Sequence, residues 1–373
     1  MIKIYFPNNN VQEREYIIDL LLSEFLGLEI EKRRYENADS KGYIICTPNG
    51  GELLIDDSFF RNYFADLAYL NSKNIPKSIF FAKNKYTMEK DIPVIFGTEK
   101  CESYEVKKIH CGIDIFASAF FMLSRWEEYV VQEKDQHDRF SATSSLALKC
   151  DFLHRPVVNE YVEMLWNMLI EIEPSLKRKS REFRLLVSHD VDKPFQQLLI
   201  SPARIIINTL KQIMARKFIP AVQNLLNWIK VRAGSRESDL YFTFNEIMEI
   251  SERFGIKSAF YFLPTGSPEQ GRRVNLSHRL MRRLLKDVSA RGHEIGIHGH
   301  YDTMKDGKEF EKQCELLQSS LKKLGLPKEP IGGRQHYLRW ANPETFRIYA
   351  RAGLTYDTTL GYADYIGFRC GVC

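Results

Sequence analysis

Hydrophobic and polar positions change rhythm near residue 178. Ahead of it, short β-branched or aromatic runs at 2–6, 42–47, 52–55 and 93–97 predict strands, and the spacing of 11–25 predicts a helix. Residues 113–131 set Ile115, Ala119, Phe120, Met122, Leu123 and Trp126 near helical spacing, then run into the charged stretch 132–139, which reads as core helix followed by loop. A second helix is predicted at 157–172. Pro174 and the basic residues Lys177, Arg178, Lys179 and Arg181 come next and mark the expected domain boundary.

Beyond that boundary strands and long helices alternate. Strands are predicted at 183–188, 257–263 and 293–297, opening again at Ile331-Gly332 and at 354–356, with helices at 244–254, 277–291, 310–324 and 343–352. Repeated βα units imply parallel strands with helices outside them, in an open sheet or a barrel. The expected organisation is an α/β domain over 1–178 and a βα-repeat domain over 179–373. One stretch breaks the second rhythm: 193–236 holds eight Lys or Arg and no Asp or Glu, with Ile206, Leu210, Ile213, Leu225, Trp228 and Ile229 among them. A solvated helical cover is one reading of this basic insertion. Contact with anionic membrane lipid or an acidic glycan is the other.

Composition narrows the classes without naming one. With 44% hydrophobic and 27% charged residues, the 373-residue chain is neither collagen-like nor largely disordered. A net charge of +5 is too small and too spread to indicate nucleic-acid binding. The opening Met1-Ile2-Lys3-Ile4-Tyr5-Phe6-Pro7 meets a proline before a signal-peptide core develops, and the most apolar run, 113–123, is far short of the ~20 residues of a membrane span, so a cytoplasmic location is expected. Seven scattered cysteines suit reduced thiols, and Cys370-Gly371-Val372-Cys373 has no second pair to complete a zinc site.

Candidate chemistry gathers at the predicted strand ends, where parallel α/β folds collect functional side chains. Ser188-His189-Asp190-Val191-Asp192 places two carboxylates two residues apart, on one side of an extended backbone, a costly arrangement unless a cation or shared proton intervenes. A turn or helix cap is the plain alternative. Gly292 to Asp302 contributes His298, His300 and Asp302; if the chain turns helical there, His298 and Asp302 share a face at i, i+4 and can share an ion, with His300 in reserve. Histidine with carboxylates suits zinc, cobalt, manganese or iron(II). Six of the nine histidines lie between 189 and 336, which raises a shared site above isolated structural roles. Gly332-Gly333-Arg334-Gln335-His336-Tyr337 offers close backbone approach and, in Arg334, a fork that can hold a carboxylate. Tyr356-Asp357-Thr358-Thr359 ends the series.

Over about residues 180–373 these segments resemble the motif series of the polysaccharide deacetylase family, metal-dependent enzymes that remove N- or O-acetyl groups from glycans. The resemblance implies a distorted (β/α) barrel preceded by a smaller α/β domain. It implies Asp190 as general base, Asp192 and His298 as metal ligands with Asp302 at the position of the family's second histidine, Arg334 in the third motif and Asp357 in the fourth. Zinc is the metal it favours, with cobalt, manganese or iron as alternatives. Arg334 would fix Asp190, and the backbone N–H of Tyr337 would complete an oxyanion hole. The N-terminal half, with Asp114-Ile115-Phe116-Ala117-Ser118-Ala119 and Arg125-Trp126-Glu127-Glu128-Tyr129, resembles the accessory domain of a bacterial subgroup, whose role the resemblance leaves unassigned.

The chain also departs from that pattern. Asp302 replaces a histidine, His336 stands where the third motif usually has proline, and the fifth motif, a Leu-x-His supplying the general acid, has no match. Either the barrel is C-terminally incomplete in a fragment of a longer protein, or that acid is lacking. The expected function is metal-dependent deacetylation of a glycan or lipid-linked glycan precursor in bacterial surface polysaccharide metabolism, with no nucleic-acid partner; 193–236 is a solvated cover in one reading and a peripheral contact at the inner membrane face in the other. A non-catalytic glycan-binding protein on the same fold and a cyclic-amide hydrolase are the alternatives.

Overall fold

A computed structural model describes residues 1–35, 42–264, 275–326 and 331–373. It divides the chain into two compact units, one formed by 1–182 with 360–373 and the other by 183–359. The closing residues 360–373 therefore group with the N-terminal unit, which is the longer of the two and not the smaller one expected.

In the first unit a six-stranded sheet runs in the order β2-β1-β3-β4-β8-β7. Its strands are β1 (Ile2–Pro7), β2 (Ile30–Tyr35), β3 (Gly42–Cys46), β4 (Glu52–Asp56), β7 (Gly97–Glu105) and β8 (Lys108–Ile113), while β5 (Phe80–Ala82) and β6 (Ile92–Val94) pair separately. Ile4, Ile45, Leu53 and Ile109 are buried on these strands. They share one core with helices α1 (Val11–Ile18), α2 (Ile115–Ser124) and α3 (Val157–Ile172), the last supplying the helically spaced Val158, Tyr161, Leu165 and Leu169. The helix expected over 113–131 breaks at Arg125, whose φ of 53° is left-handed. Its guanidinium is buried there, 2.9 Å from Glu128 and 3.4 Å from Glu127, and Arg369 of the closing segment donates to both oxygens of Glu128 at 2.8 and 2.6 Å.

The second unit is built on β9 (Ser188–Val191), β10 (Ala259–Phe262), β11 (Glu294–Gly299), β12 (Gly332–Gln335) and β13 (Tyr356–Asp357), every neighbouring pair parallel. These strands follow one another in sequence order across the sheet, the winding that a (β/α) barrel also has. β10 is buried along its whole length, as a central parallel strand must be. Helices α4 (Pro202–Met214), α5 (Phe218–Ala233), α6 (Phe244–Arg253), α7 (Arg279–Ala290), α8 (Gly307–Lys323) and α9 (Glu344–Arg351) connect the strands, and α7 and α8 bury Leu284, Val288, Phe310 and Leu317 in the second core. The strand expected at 183–188 starts instead at Ser188, because the ladder with β10 runs from Ser188↔Ala259 to Val191↔Phe262 and leaves Phe183 and Leu186 exposed. That shift puts Asp190 inside the paired strand and Asp192 just past its end.

Candidate metal centre

Parallel registry brings the polar residues of four strands to one edge. Asp190 lies opposite Tyr261 on β10, Tyr261 opposite Gly296 on β11, and His298 opposite Arg334 on β12. Glycine at 332 is required by close packing: a Cβ there would overlap the Tyr356 ring of β13.

Asp192, His298 and His336 form one group whose ligand atoms all lie within 4.8 Å of one another. His298 Nε2 is 3.3 Å from one Asp192 oxygen and His336 Nε2 is 3.6 Å from the other. Donor atoms on a common tetrahedral ion, at bonds of ~2.0–2.2 Å, are themselves separated by roughly 3.3–3.6 Å, and each imidazole nitrogen stands at such a spacing from one of the two Asp192 oxygens. Both imidazoles are buried, while Asp192 is 43% exposed and leaves the group open on one side.

The hydrogen bonding of His298 tests that fit. Its Nδ1 lies 2.9 Å from the Arg334 carbonyl oxygen, which can only accept, so Nδ1 carries a proton. In the neutral imidazole Nε2 then turns a lone pair toward a carboxylate. Such a contact is repulsive without a positive charge between the two atoms. Protonated, His298 and His336 would hydrogen-bond Asp192 and hold its carboxyl well below the usual carboxylate range; neutral, they leave that place to a divalent ion. The donor set therefore fits a metal, with His298 oriented from behind by a backbone carbonyl as ligating imidazoles usually are.

Asp190 stands beside this group, its Oδ2 4.0 Å from His298 Nε2. Arg334 Nη1 donates to Asp190 Oδ1 at 3.1 Å, Nη2 to Ser188 Oγ at 2.7 Å and Nε to the Thr358 carbonyl at 3.1 Å, so each guanidinium nitrogen is committed. The guanidinium also lies 5.4 Å from the centre of the Tyr261 ring, within cation–π range.

Asp302 does not join the group. β11 stays extended through Gly299, so the helical i, i+4 relation between His298 and Asp302 never forms. Asp302 sits in the short turn Tyr301–Met304, 68% exposed, with its carboxylate 3.6 Å from His300 Nδ1. The ring of His300 caps that turn by accepting from the Asp302 N–H. His336, which stands in the fourth strand-end segment but was not among the expected ligands, occupies the third position. Its signal was the strand-end rule already applied to the other motifs, since His336 directly follows β12.

Asp357 also has a local role: its oxygens accept from the Thr359 N–H at 2.9 Å and hydroxyl at 2.5 Å, and Thr359 Oγ1 in turn accepts from the Gln335 N–H at 3.0 Å. It steadies the end of β12. Tyr337 follows His336 with φ 60°, and Leu338 with φ 54° is left-handed too. Non-glycine residues pay about 1 kcal/mol or more each for that conformation, a strain that accumulates at functional turns.

Comparison with known proteins adds little to this geometry. A family of unknown function, DUF7033, matches residues 2–174, less than half of the chain. No curated protein matches. Among solved structures, a polysaccharide deacetylase candidate from Mycobacterium smegmatis is similar at 17% identity and a TM-score of 0.27, over 47% of this chain and 50% of that one. The chain thus spans about half the length of that structure, and a likeness this distant bears on neither substrate nor reaction. No helix among the described residues is long and apolar enough to cross a membrane.

Proposed function

We propose that residues 183–359 form the catalytic unit of a metal-dependent hydrolase that removes an acetyl group, N- or O-linked, from a glycan or glycan precursor. The observation that carries this reading is a carboxylate, Asp190, held by Arg334 directly beside three converging ligand atoms. The motif series from Ser188 to Asp357 supports it independently of that geometry.

A divalent ion held by Asp192, His298 and His336 would polarise the acetyl carbonyl and acidify water. Asp190 takes the proton of the attacking water, because it is open to solvent and its other oxygen is fixed by Arg334. Water's oxygen bonds to the acetyl carbon, the C–N or C–O bond breaks, and the same carboxyl can return the proton to the departing nitrogen or oxygen. Arg334 acts by holding the Asp190 carboxylate in a fixed orientation. The backbone N–H of Tyr337 is assigned to the developing oxyanion.

Acetate release from acetylated oligosaccharides tests the reading. The metal-loaded chain is expected to release acetate, and Asp190→Asn to lower the rate roughly a hundredfold to ten-thousandfold with metal content unchanged. Wild-type turnover in that variant would remove Asp190 from the chemistry.

A further inference from the structure

The insertion at 193–236 forms two helices, α4 and α5, whose apolar residues face outward. On α4, Ile206, Leu210, Ile213 and Met214 recur at helical spacing and are between 40% and 84% exposed, whereas Ile205 is its buried apolar residue. On α5, Ile219, Val222, Leu226 and Ile229 form a second stripe, between 47% and 72% exposed. Val231 and Ala221 are the buried positions of α5, and Trp228 Nε1 donates to the Ile200 carbonyl at 2.9 Å, which ties α5 to the segment leading into α4. Both helices have ordinary stops: the Ser201 hydroxyl and Pro202 open α4, and Gly234 with φ 112° closes α5. The outward stripes are thus continuous faces of regular helices and not singly scattered apolar residues.

Charge says what would cover them. Acidic residues are absent from 193–236, and Lys193, Arg204, Lys211, Arg216, Lys217 and Lys230 make no ion pair among the described residues. At 100° per residue, Arg204 and Lys211 fall beyond one edge of the α4 stripe, and Lys230 and Arg232 flank the α5 stripe. Apolar residues along the centre with long cations at the margins is the pattern of a helix lying in a bilayer interface, stems against the acyl region and charges at the headgroups. Neither helix is long enough to span.

We propose that the α4–α5 hairpin docks on an anionic phospholipid bilayer, apolar stripes down. This would hold the strand-end site of the same unit near lipid-carried substrates, yet it rests on the hairpin alone. Vesicle co-sedimentation of the full chain tests it, using phosphatidylcholine alone or with about one quarter phosphatidylglycerol, at about 0.1 M and about 0.5 M salt. The chain should sediment with the anionic vesicles, less so at high salt. Lys211→Gln with Lys230→Gln should lower partitioning roughly twenty-five-fold, taking about fivefold per cation. Leu210→Ser with Leu226→Ser, both at exposed positions, should abolish it while the circular dichroism spectrum stays unchanged. Equal sedimentation with both lipids, or none with either, overturns the proposal. So does a lipid-free dimer that dissociates in the serine variant, since the face would then join two copies of the chain. None of these outcomes depends on whether Asp190→Asn loses activity.

Discussion

Asp192 and His298 could be picked out from spacing alone because each follows or ends a predicted strand, and the structure sets them 3.3 Å apart. Asp302 could not be judged that way. Its candidacy assumed that the backbone turns helical after Ile297, and backbone hydrogen bonding to β12 keeps it extended to Gly299 instead. The motif Arg125 to Tyr129 was visible but had no chemistry attached; folded, its Arg125, Glu127 and Glu128 form a buried charge cluster. Burial works to raise the Glu128 carboxyl, but the Arg369 and Arg125 guanidinium groups outweigh it and bring it from 4.5 to about 2. A carboxyl depressed in the folded state adds stability above about pH 4.5 and loses that contribution as pH falls towards about 2. Wild-type chain should therefore lose stability across that acid window. Arg369→Met, which leaves Glu128 with Arg125 alone, should cost about 3–5 kcal/mol at neutral pH by urea unfolding. An unfolding midpoint unchanged at neutral pH would show that the pair contributes nothing.

At the scale of elements, helices were the more legible. Residues 157–172 repeat an apolar stripe that matches α3 residue for residue, whereas β7 carries an exposed, charged sequence with no alternation to read. Its register comes from pairing with β8, which is tertiary information. The same holds for β9, whose four residues are polar or only partly buried apart from Val191 and are strand because β10 lies beside them. β12 is short and holds Arg334 through its glycines. Gly332→Ala would drive a methyl group into the Tyr356 ring, and overpacking of this kind typically costs about 1–3 kcal/mol. Thermal unfolding should show a lower midpoint, while an unchanged midpoint would mean that β13 shifts freely and does not constrain β12.

For the whole molecule, the switch from mixed to βα-repeat patterning near residue 178 lies close to the division at 182, but the return of 360–373 to the first unit left no mark in the hydrophobic pattern. That return rests on specific bonds, Arg369 to Glu128 and the Val158 N–H to the Gly371 carbonyl at 2.8 Å, which a local reading cannot anticipate. The central claim concerns the unit between, where Asp192, His298 and His336 are assigned one divalent ion. Calorimetric titration of zinc into the metal-free full chain measures it most directly. One ion per chain should bind, His336→Ala should weaken binding by more than about a hundredfold, and Asp302→Ala should bind like the wild type. Unchanged affinity in His336→Ala, or its loss in Asp302→Ala, would contradict the assignment.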